Sequence, residues 1–207
     1  MENFIQSLFK LLTEKYSGIN LTRIDSFEDF KIKQIEDSLK LTQVSKLFQQ
    51  KIKNKPVVID VGFGGGFPLL PLAFTYPDIQ FLGVEIRQKK INVVKAMAET
   101  LGLKNIKFYH GDIDKVLLDL DCIVTMKAVG KIAEYNPMIH HLKSCSIFHF
   151  KGPKILELEP EVLTQTNLVE NISYELEGTE GRTILVYELK NVPHGTEKFL
   201  VKLSDII

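Results

Sequence analysis

A stretch rich in glycine carries the strongest chemical signal in this sequence. Residues 60–68 read D-V-G-F-G-G-G-F-P, and the first two of them end the apolar run of residues 56–61. Glycine lets the backbone turn sharply and lets a ligand approach it closely. A loop that follows a buried strand of an open α/β sheet stands at the strand's carboxyl end, where such sheets bind ligands. The stretch therefore indicates a cofactor site rather than a plain turn.

The spacing of these glycines excludes two common nucleotide-binding loops. A dinucleotide fingerprint, G-x-G-x-x-G/A, needs its third small residue where this chain has Phe67. A phosphate-binding P-loop ends in Gly-Lys-Ser or Gly-Lys-Thr, and neither tripeptide occurs in the sequence. The remaining pattern, D-x-G-x-G-x-G, resembles the first motif of the class I S-adenosylmethionine-dependent methyltransferases.

Carboxylates follow two further predicted strands. Glu85 lies 23 residues after Gly62, where its two oxygens can accept hydrogen bonds from both hydroxyls of a ribose. The same position would also suit NAD, so Glu85 by itself leaves both cofactors open. Asp112 and Asp114 follow the next strand, where the methyltransferase pattern places the adenine. Aspartate is also a favoured N-cap, and either residue could simply begin a helix.

The elements that must position these residues fall into two parts. Helical periodicity in residues 2–14 and 27–50 predicts an N-terminal helical lobe over residues 1–54. Alternating strands and helices over residues 55–207 predict a doubly wound α/β domain. The predicted strands are residues 56–61, 80–86, 105–109, 121–126, 146–150, 172–176 and 184–189. The predicted helices between them are residues 67–76, 88–101, 113–118 and 131–142. The last two strands are joined through Gly178 and Gly181, which predicts an antiparallel pair at the edge of a mostly parallel, seven-stranded sheet.

Composition and charge exclude several classes of protein. The 207 residues are 44% hydrophobic and 25% charged, as in ordinary folded proteins. The two cysteines, Cys122 and Cys145, and the five histidines lack metal-ligand spacing, so we expect buried, reduced thiols and no metal. The sequence shows neither a signal peptide nor an apolar run long enough to span a membrane, so we expect a cytoplasmic protein.

The charges are balanced in number but separated along the chain. Lysine plus arginine total 26 and aspartate plus glutamate total 26, which argues against a purely nucleic-acid-binding module. Residues 87–107 nevertheless hold six basic and one acidic side chain, whereas residues 155–181 hold seven glutamates and no basic residue. A neutral molecule can therefore present one basic face.

Motifs outside the glycine loop resemble one family specifically. They are Asn20-Leu-Thr22, Asp37-Ser38-Leu39, Arg87-Gln-Lys89-Lys90, Met126-Lys127-Ala128, Phe150-Lys151-Gly152 and Gly181-Arg182. Together with residues 60–72 they are similar to the small-subunit ribosomal RNA guanine-N7 methyltransferases, over essentially the whole chain. Two departures stand out. Lys33-Gln34 replaces the family's usual Arg-His, and Met126-Lys127 replaces its Ser-Arg.

The resemblance implies a cofactor, a substrate and a set of site residues. The cofactor is S-adenosylmethionine, and the partner is ribosomal RNA or the small ribosomal subunit. The expected cofactor-binding residues are Asp60, Gly62, Gly64, Gly66, Phe67, Glu85, Asp112, Ile113, Asp114 and Lys127. The expected RNA-binding residues are Asn20, Lys33, Asp37, Ser38, Pro68, Arg87, Lys89, Lys151 and Arg182. We expect Lys127 to position a reactant, without proton transfer.

The chemistry expected at N7 agrees with what the sequence lacks. Methylation of an exocyclic amine commonly uses an Asn/Asp-Pro-Pro-Tyr/Phe motif, which the chain does not contain after its fourth predicted strand. Guanine N7 carries a free lone pair and no proton, so the enzyme has mainly to align it with the methyl group. Two alternatives remain open at this stage, a non-catalytic RNA-binding assembly factor and a nucleotide-dependent oxidoreductase.

Overall fold

A seven-stranded sheet forms the centre of the computed structural model, which describes residues 1–19, 21–190 and 200–207. The strand order is β3-β2-β1-β5-β7-β9-β8, and β9 runs antiparallel to both of its neighbours. The strands are β1 Val57–Val61, β2 Phe81–Glu85, β3 Ile106–His110, β5 Cys122–Lys127, β7 Cys145–Lys151, β8 Leu168–Tyr174 and β9 Arg182–Leu189. The predicted mostly parallel sheet with an antiparallel edge pair is therefore confirmed.

The central strands are apolar because other elements pack on both faces of the sheet. All five residues of β1 and all five of β2 are buried, as expected for parallel strands without a solvent face. Two helices that pack beside these strands are α5 Leu69–Thr75 and α6 Gln88–Thr100. The strands β1, β2 and β5 end at the same edge of the sheet, which brings the loops after them together.

The N-terminal lobe is helical, as predicted. It contains α1 Glu2–Lys10, α2 Phe27–Phe30, α3 Asp37–Val44 and α4 Lys46–Lys51, with a 3₁₀ turn at Ile52–Asn54. Two π-helical segments, Leu11–Lys15 and Lys31–Glu36, extend α1 and join α2 to α3. Such segments are rare and occur often at functional sites.

The lobe packs against the sheet domain through aromatic side chains. The ring of Phe30 lies 5.7 Å from that of Phe67, and the ring of Phe48 lies 5.7 Å from that of Phe148. A polar contact adds to this packing, because the Glu170 carboxylate on β8 accepts hydrogen bonds from Ser45 Oγ and the Leu47 amide at the start of α4. The lobe is thus joined to the sheet by one continuous apolar cluster.

Two predicted helices are wrong. Residues 113–118 form a 3₁₀ turn at Ile113–Lys115 followed by strand β4 Val116–Leu118, and residues 131–142 form the short α7 Ile132–Tyr135, a 3₁₀ turn at Asn136–Met138 and strand β6 His140–His141. Strand β4 pairs with β6 on one side and with β10 Val201–Lys202 on the other. Short apolar runs suit strand and helix alike, and pairing with a distant segment decided between them.

Three short helical segments complete the described part of the chain. They are α8 Ile155–Leu158, the 3₁₀ turn Pro160–Thr164 and α9 Leu203–Ile206. The two cysteines are free and buried, as predicted, at the first positions of β5 and β7.

Candidate active site

The glycine loop leaves β1 in a backbone conformation that favours glycine. Gly62 has a φ of +65° and Gly64 a φ of +54°. A Cβ atom at Gly62 would lie 3.0 Å from Cγ2 of Val129, which comes from the loop after β5. A side chain at Gly62 would therefore be strained and would also close the space between the two loops.

Glu85 ends β2 beside this loop with both carboxylate oxygens held. Its Oε2 accepts from the Gly64 amide at 3.3 Å, and its Oε1 accepts from the Arg87 amide at 3.1 Å. The side chain is buried, yet it lines a cavity. A carboxylate fixed in this way keeps lone pairs free to accept further hydrogen bonds from a ligand.

That cavity, here called the donor cavity, has a volume of about 210 Å³. It lies where the carboxyl ends of β1, β2 and β3 meet the loop after β5. The residues that line it are Val61, Gly62, Val84, Glu85, Ile86, Arg87, Lys90, Gly111, Asp112, Ile113, Val129 and Tyr135. Four of the predicted cofactor-binding residues are among them, namely Gly62, Glu85, Asp112 and Ile113.

Asp60, one of the expected cofactor-binding residues, is buried and does not line the donor cavity. Its side chain is 1% exposed, and its carboxylate accepts from the Leu69 amide at 3.0 Å and from Thr125 Oγ1 at 3.0 Å. Burial raises the pKa of Asp60 to about 7, although the two hydrogen bonds oppose the shift. Asp60 thus ties β1 to β5 and to the start of α5, and supports the loop from below.

The other predicted cofactor residues surround the donor cavity without lining it. The Gly64 amide donates a hydrogen bond to Glu85, which does line the cavity. Gly66 and Phe67 are buried. A Cβ at Gly66 would lie 2.7 Å from Leu70 Cδ1, so this glycine allows close packing. Asp114 pairs with Lys115 at 2.9 Å. Asp112 caps the following turn through a 2.7 Å hydrogen bond to the Ile113 amide, so its capping role and its place in the cavity coexist.

A second cavity, here called the substrate cavity, lies beside the first and has a volume of about 560 Å³. The loop after β5, the ends of β7 and β9 and the π-helical segment of the lobe enclose it. Its lining residues are Ile24, Lys33, Gln34, Asp37, Lys127, Ala128, Val129, Gly130, Phe150, Lys151, Gly152 and Arg182. Val129 lines both cavities and separates them.

Lys127 belongs to the substrate cavity and joins the sheet to the lobe. Its Nζ lies 2.7 Å from Asp37 Oδ2 and donates to the Lys33 carbonyl and to Gln34 Oε1, each at 3.2 Å. The side chain is 14% exposed. Burial lowers the pKa of the Lys127 ammonium, and the Asp37 carboxylate opposes that shift. The other oxygen of Asp37 accepts from the Tyr174 hydroxyl at 2.7 Å.

Lys151 holds the wall between the two cavities in place. Its Nζ donates to the Val129 carbonyl at 3.2 Å and to the Gly130 carbonyl, and lies 3.4 Å from Glu159 Oε1. The second oxygen of Glu159 accepts from the Ile132 amide at 2.8 Å. One buried ion pair therefore holds both the loop after β5 and the first residue of the helix that follows it.

Four further predicted RNA-binding residues, Ser38, Pro68, Arg87 and Lys89, are not among the residues that line the substrate cavity. Ser38 is fully buried and donates to the Gln34 carbonyl, and Pro68 is buried beside the glycine loop. Arg87 and Lys89 are exposed at the start of α6, where Arg87 borders the donor cavity instead. Asn20 lies outside the described residues.

Several residues of the two cavities were not predicted from the sequence. Ile86, Val129 and Tyr135 line the donor cavity. Lys90 lines it as well, and this residue belongs to the Arg87-Gln-Lys89-Lys90 motif that the sequence had indicated. Val129 and Tyr135 carry no such signal, because only the path of the loop after β5 brings them to the cavity.

Comparison with known protein families identifies the family of this chain. Residues 1–177 match the family model GidB, described as rRNA small subunit methyltransferase G. The chain belongs to this family. A curated GidB family protein of Streptococcus gordonii, named ribosomal RNA small subunit methyltransferase G, is 32% identical, over 88% of this chain and 80% of that protein. A protein of the same name from Streptococcus pyogenes serotype M12 is 28% identical over the same shares.

Solved structures agree with the fold of this GidB family member. A magnesium protoporphyrin IX methyltransferase from Synechocystis PCC 6803, solved with S-adenosylmethionine bound, has a TM-score of 0.59 and 13% identity over 92% of this chain and 98% of that chain. A methyltransferase from Geobacter sulfurreducens has a TM-score of 0.55 and 13% identity over 91% of each chain. The class I methyltransferase fold is confirmed.

S-adenosylmethionine is the cofactor of this methyltransferase family, and the donor cavity suits it. Glu85 presents a buried carboxylate, a group that can accept hydrogen bonds from hydroxyls, and Gly62 leaves the loop free of a side chain next to it. Within residues 1–19, 21–190 and 200–207, no cluster of three or more His, Cys, Asp or Glu residues could hold a metal ion. In the same residues, no helix is both long and apolar enough to cross a membrane.

Proposed function

We propose that this chain transfers the methyl group of S-adenosylmethionine to N7 of a guanine in 16S ribosomal RNA. The observation that carries the proposal is the pair of neighbouring cavities in a member of the GidB family. One is lined by Gly62 and the Glu85 carboxylate, the other is lined by four cationic side chains, and Val129 lines both. We further propose that the protein acts in the cytoplasm on the small ribosomal subunit or its RNA.

Each cavity would hold one reactant. Glu85 would accept the ribose hydroxyls of the donor, Asp112 and Ile113 would border its adenine, and Gly62 would admit its methionine part. The guanine would enter the substrate cavity and meet the donor where Val129 divides the two spaces. Lys151, through its bonds to the Val129 and Gly130 carbonyls, would keep that wall in position.

The reaction requires that N7 and the methyl group be aligned, and it does not require acid–base catalysis. S-adenosylmethionine supplies a methyl group on a positive sulfur, and the electron pair of the carbon–sulfur bond returns to sulfur as the N7 lone pair forms the new bond. N7 has no proton to lose, so no general base is required. Lys127 already donates to Asp37, Lys33 and Gln34, so its role would be to hold the lobe against the substrate cavity.

Methyl transfer to small subunits that lack the modification tests the proposal. We expect radiolabel from the donor to appear in 16S RNA, and borohydride reduction with aniline cleavage to break the chain at the labelled guanine. Label on another atom would overturn the N7 assignment. Binding of the subunit without label transfer would favour a non-catalytic assembly factor, and binding of NAD instead of the donor would favour an oxidoreductase. Membership of the family favours neither alternative.

A further inference from the structure

The four cations of the substrate cavity differ in whether a carboxylate neutralises them. Three of them form ion pairs, namely Lys33 with Asp29 at 2.9 Å, Lys127 with Asp37 at 2.7 Å and Lys151 with Glu159 at 3.4 Å. The fourth, Arg182, has no ion pair with any described carboxylate. Its Nη1 donates only to the carbonyl of its own neighbour, Gly181, at 2.8 Å. The net positive charge of this cavity therefore resides on Arg182.

The backbone position of Arg182 is fixed by strand pairing and by the turn before it. Arg182 is the first residue of β9 and stands opposite Tyr174, the last residue of β8. Gly181 has a φ of +87°, and a Cβ there would lie 3.2 Å from the Tyr174 carbonyl oxygen. The Tyr174 hydroxyl donates to Asp37, the ion-pair partner of Lys127. Because Tyr174 pairs with Arg182 across the two strands, the start of β9 is connected to this ion pair.

We infer that Arg182 binds a backbone phosphate of the RNA next to the target guanine, an inference that rests on the proposed function. A guanidinium has a planar fork that can donate two parallel hydrogen bonds to a phosphate, and it is always charged. Arg182 lines the substrate cavity but not the donor cavity. A cation in that place can attract the negatively charged RNA backbone.

A second anion could in principle meet Arg182, because the donor carries a carboxylate on its methionine part. The two sources are separable by experiment. A phosphate contact changes the affinity for RNA and its dependence on salt, whereas a carboxylate contact changes the affinity for S-adenosylhomocysteine. We commit to the phosphate because Arg182 lines the substrate cavity only, whereas Glu85 and Gly62, which would meet the donor, line the other cavity.

Binding of unmodified small ribosomal subunits over a series of potassium chloride concentrations tests the inference. We expect Arg182→Ala to weaken binding roughly 10- to 100-fold, the effect of one lost charged hydrogen-bonding group. The slope of log affinity against log salt should become shallower by about 0.7, the value for one phosphate contact on single-stranded RNA. Arg182→Lys should retain the slope and lose part of the affinity, because it keeps the charge but not the fork.

A matched control removes the same charge elsewhere. Lys104 is exposed in the loop that enters β3, at the opposite edge of the sheet, so Lys104→Ala should change neither the affinity nor the slope. An Arg182→Ala protein with wild-type affinity and slope would overturn the inference. So would a variant that binds the subunit normally but has lost S-adenosylhomocysteine binding in calorimetry, since that result assigns Arg182 to the donor.

The outcomes also separate this inference from the proposed function. If wild-type protein binds subunits but transfers no methyl group, the proposed function fails while the salt slope of Arg182→Ala still decides the phosphate contact. If wild-type protein methylates N7 and Arg182→Ala does so with an unchanged KM for the subunit, the phosphate contact alone fails.

Discussion

At the scale of single residues, Gly62 and Val129 bring two loops together at the donor cavity. Both residues line that cavity, and Val129 also faces the substrate cavity. The loops after β1 and β5 approach each other closely here, because a Cβ at Gly62 would lie 3.0 Å from the Val129 side chain. Small changes at this point should therefore affect donor binding before they affect folding.

Replacement of Gly62 tests that expectation. We predict that Gly62→Ala raises the dissociation constant of S-adenosylmethionine roughly tenfold or more in calorimetry. The added methyl group would contact Val129, and the resulting strain and lost space should cost the binding free energy more than about 1 kcal/mol. Gly102→Ala is the control, since Gly102 has a similar φ of +73° but open space around it. Equal donor affinity in the two variants would contradict the prediction.

Lys127 is the second residue at which a single change should be informative. We predict that Lys127→Ala lowers methyl transfer by roughly 10- to 1,000-fold, because it removes a charged hydrogen-bonding group and misaligns the lobe against the substrate cavity. Lys127→Arg should retain most activity, since it keeps the charge that Asp37 requires and is the residue usual in the family. Turnover is to be measured at saturating and at low concentrations of donor and RNA.

A second variant distinguishes misalignment from unfolding. Lys127→Ala leaves Asp37 buried without its cation, which destabilises the protein. Combining it with Asp37→Asn should restore most of the melting temperature without restoring turnover. Wild-type turnover in Lys127→Ala would remove Lys127 from the site.

At the scale of secondary-structure elements, Asp60 joins β1, β5 and α5 beneath the glycine loop. Its two hydrogen bonds, to the Leu69 amide and to Thr125 Oγ1, come from the other two elements. The junction is therefore built around one buried carboxyl group, and its protonation should set how firmly the three elements hold together.

The stability contributed by Asp60 should decrease as the pH rises. Its pKa is raised from 3.8 to about 7 in the folded chain, so between these values the folded state retains a proton that the unfolded state has lost. The contribution is present below the unfolded pKa and is lost as the pH rises through the folded one. We predict that Asp60→Asn, which cannot ionise, gains about 2–3 kcal/mol relative to wild type between about pH 5 and pH 8.

Urea unfolding at the two pH values measures this difference. The exposed Asp78 provides the control, since Asp78→Asn should follow the pH dependence of the wild type. If the wild type and Asp60→Asn show the same change in unfolding free energy with pH, the Asp60 carboxyl group does not govern the junction.

At the scale of the whole molecule, the lobe and the sheet domain share a single core. The predicted boundary after residue 54 marks a change from helices to alternating strands, yet one apolar cluster contains Leu8 and Phe48 of the lobe together with Phe67 and Phe148 of the sheet domain. A structure held together in this way should lose both parts at once.

Unfolding of the two parts should therefore be cooperative. We predict one urea transition, coincident in far-ultraviolet circular dichroism and in tyrosine fluorescence, for a chain that has no tryptophan. Leu8→Ala should destabilise the whole transition by about 2–5 kcal/mol, because Leu8 is fully buried. Leu158→Ala is the control, since Leu158 is 76% exposed and its truncation should have little effect. Two separate transitions would show that the lobe unfolds independently.

The sequence by itself determined those features that depend on neighbouring residues in the chain. The glycines after β1 and Glu85 at the end of β2 indicated a nucleoside cofactor, and the alternation of strands with helices indicated the sheet. A positive φ, a strand of buried residues and the position of a carboxylate at a strand end are all local properties, so a short stretch of sequence can encode them.

Only the tertiary structure decided which distant residues meet. Lys127 faces Gln34, 93 positions earlier, and Asp37 receives the hydroxyl of Tyr174, 137 positions later. The same holds for β4, which became a strand because β6 and β10 pair with it, and for Val129, which reaches both cavities through the path of its loop. These contacts result from how the lobe and the loops pack over the sheet, and no pattern of nearby residues specifies that packing.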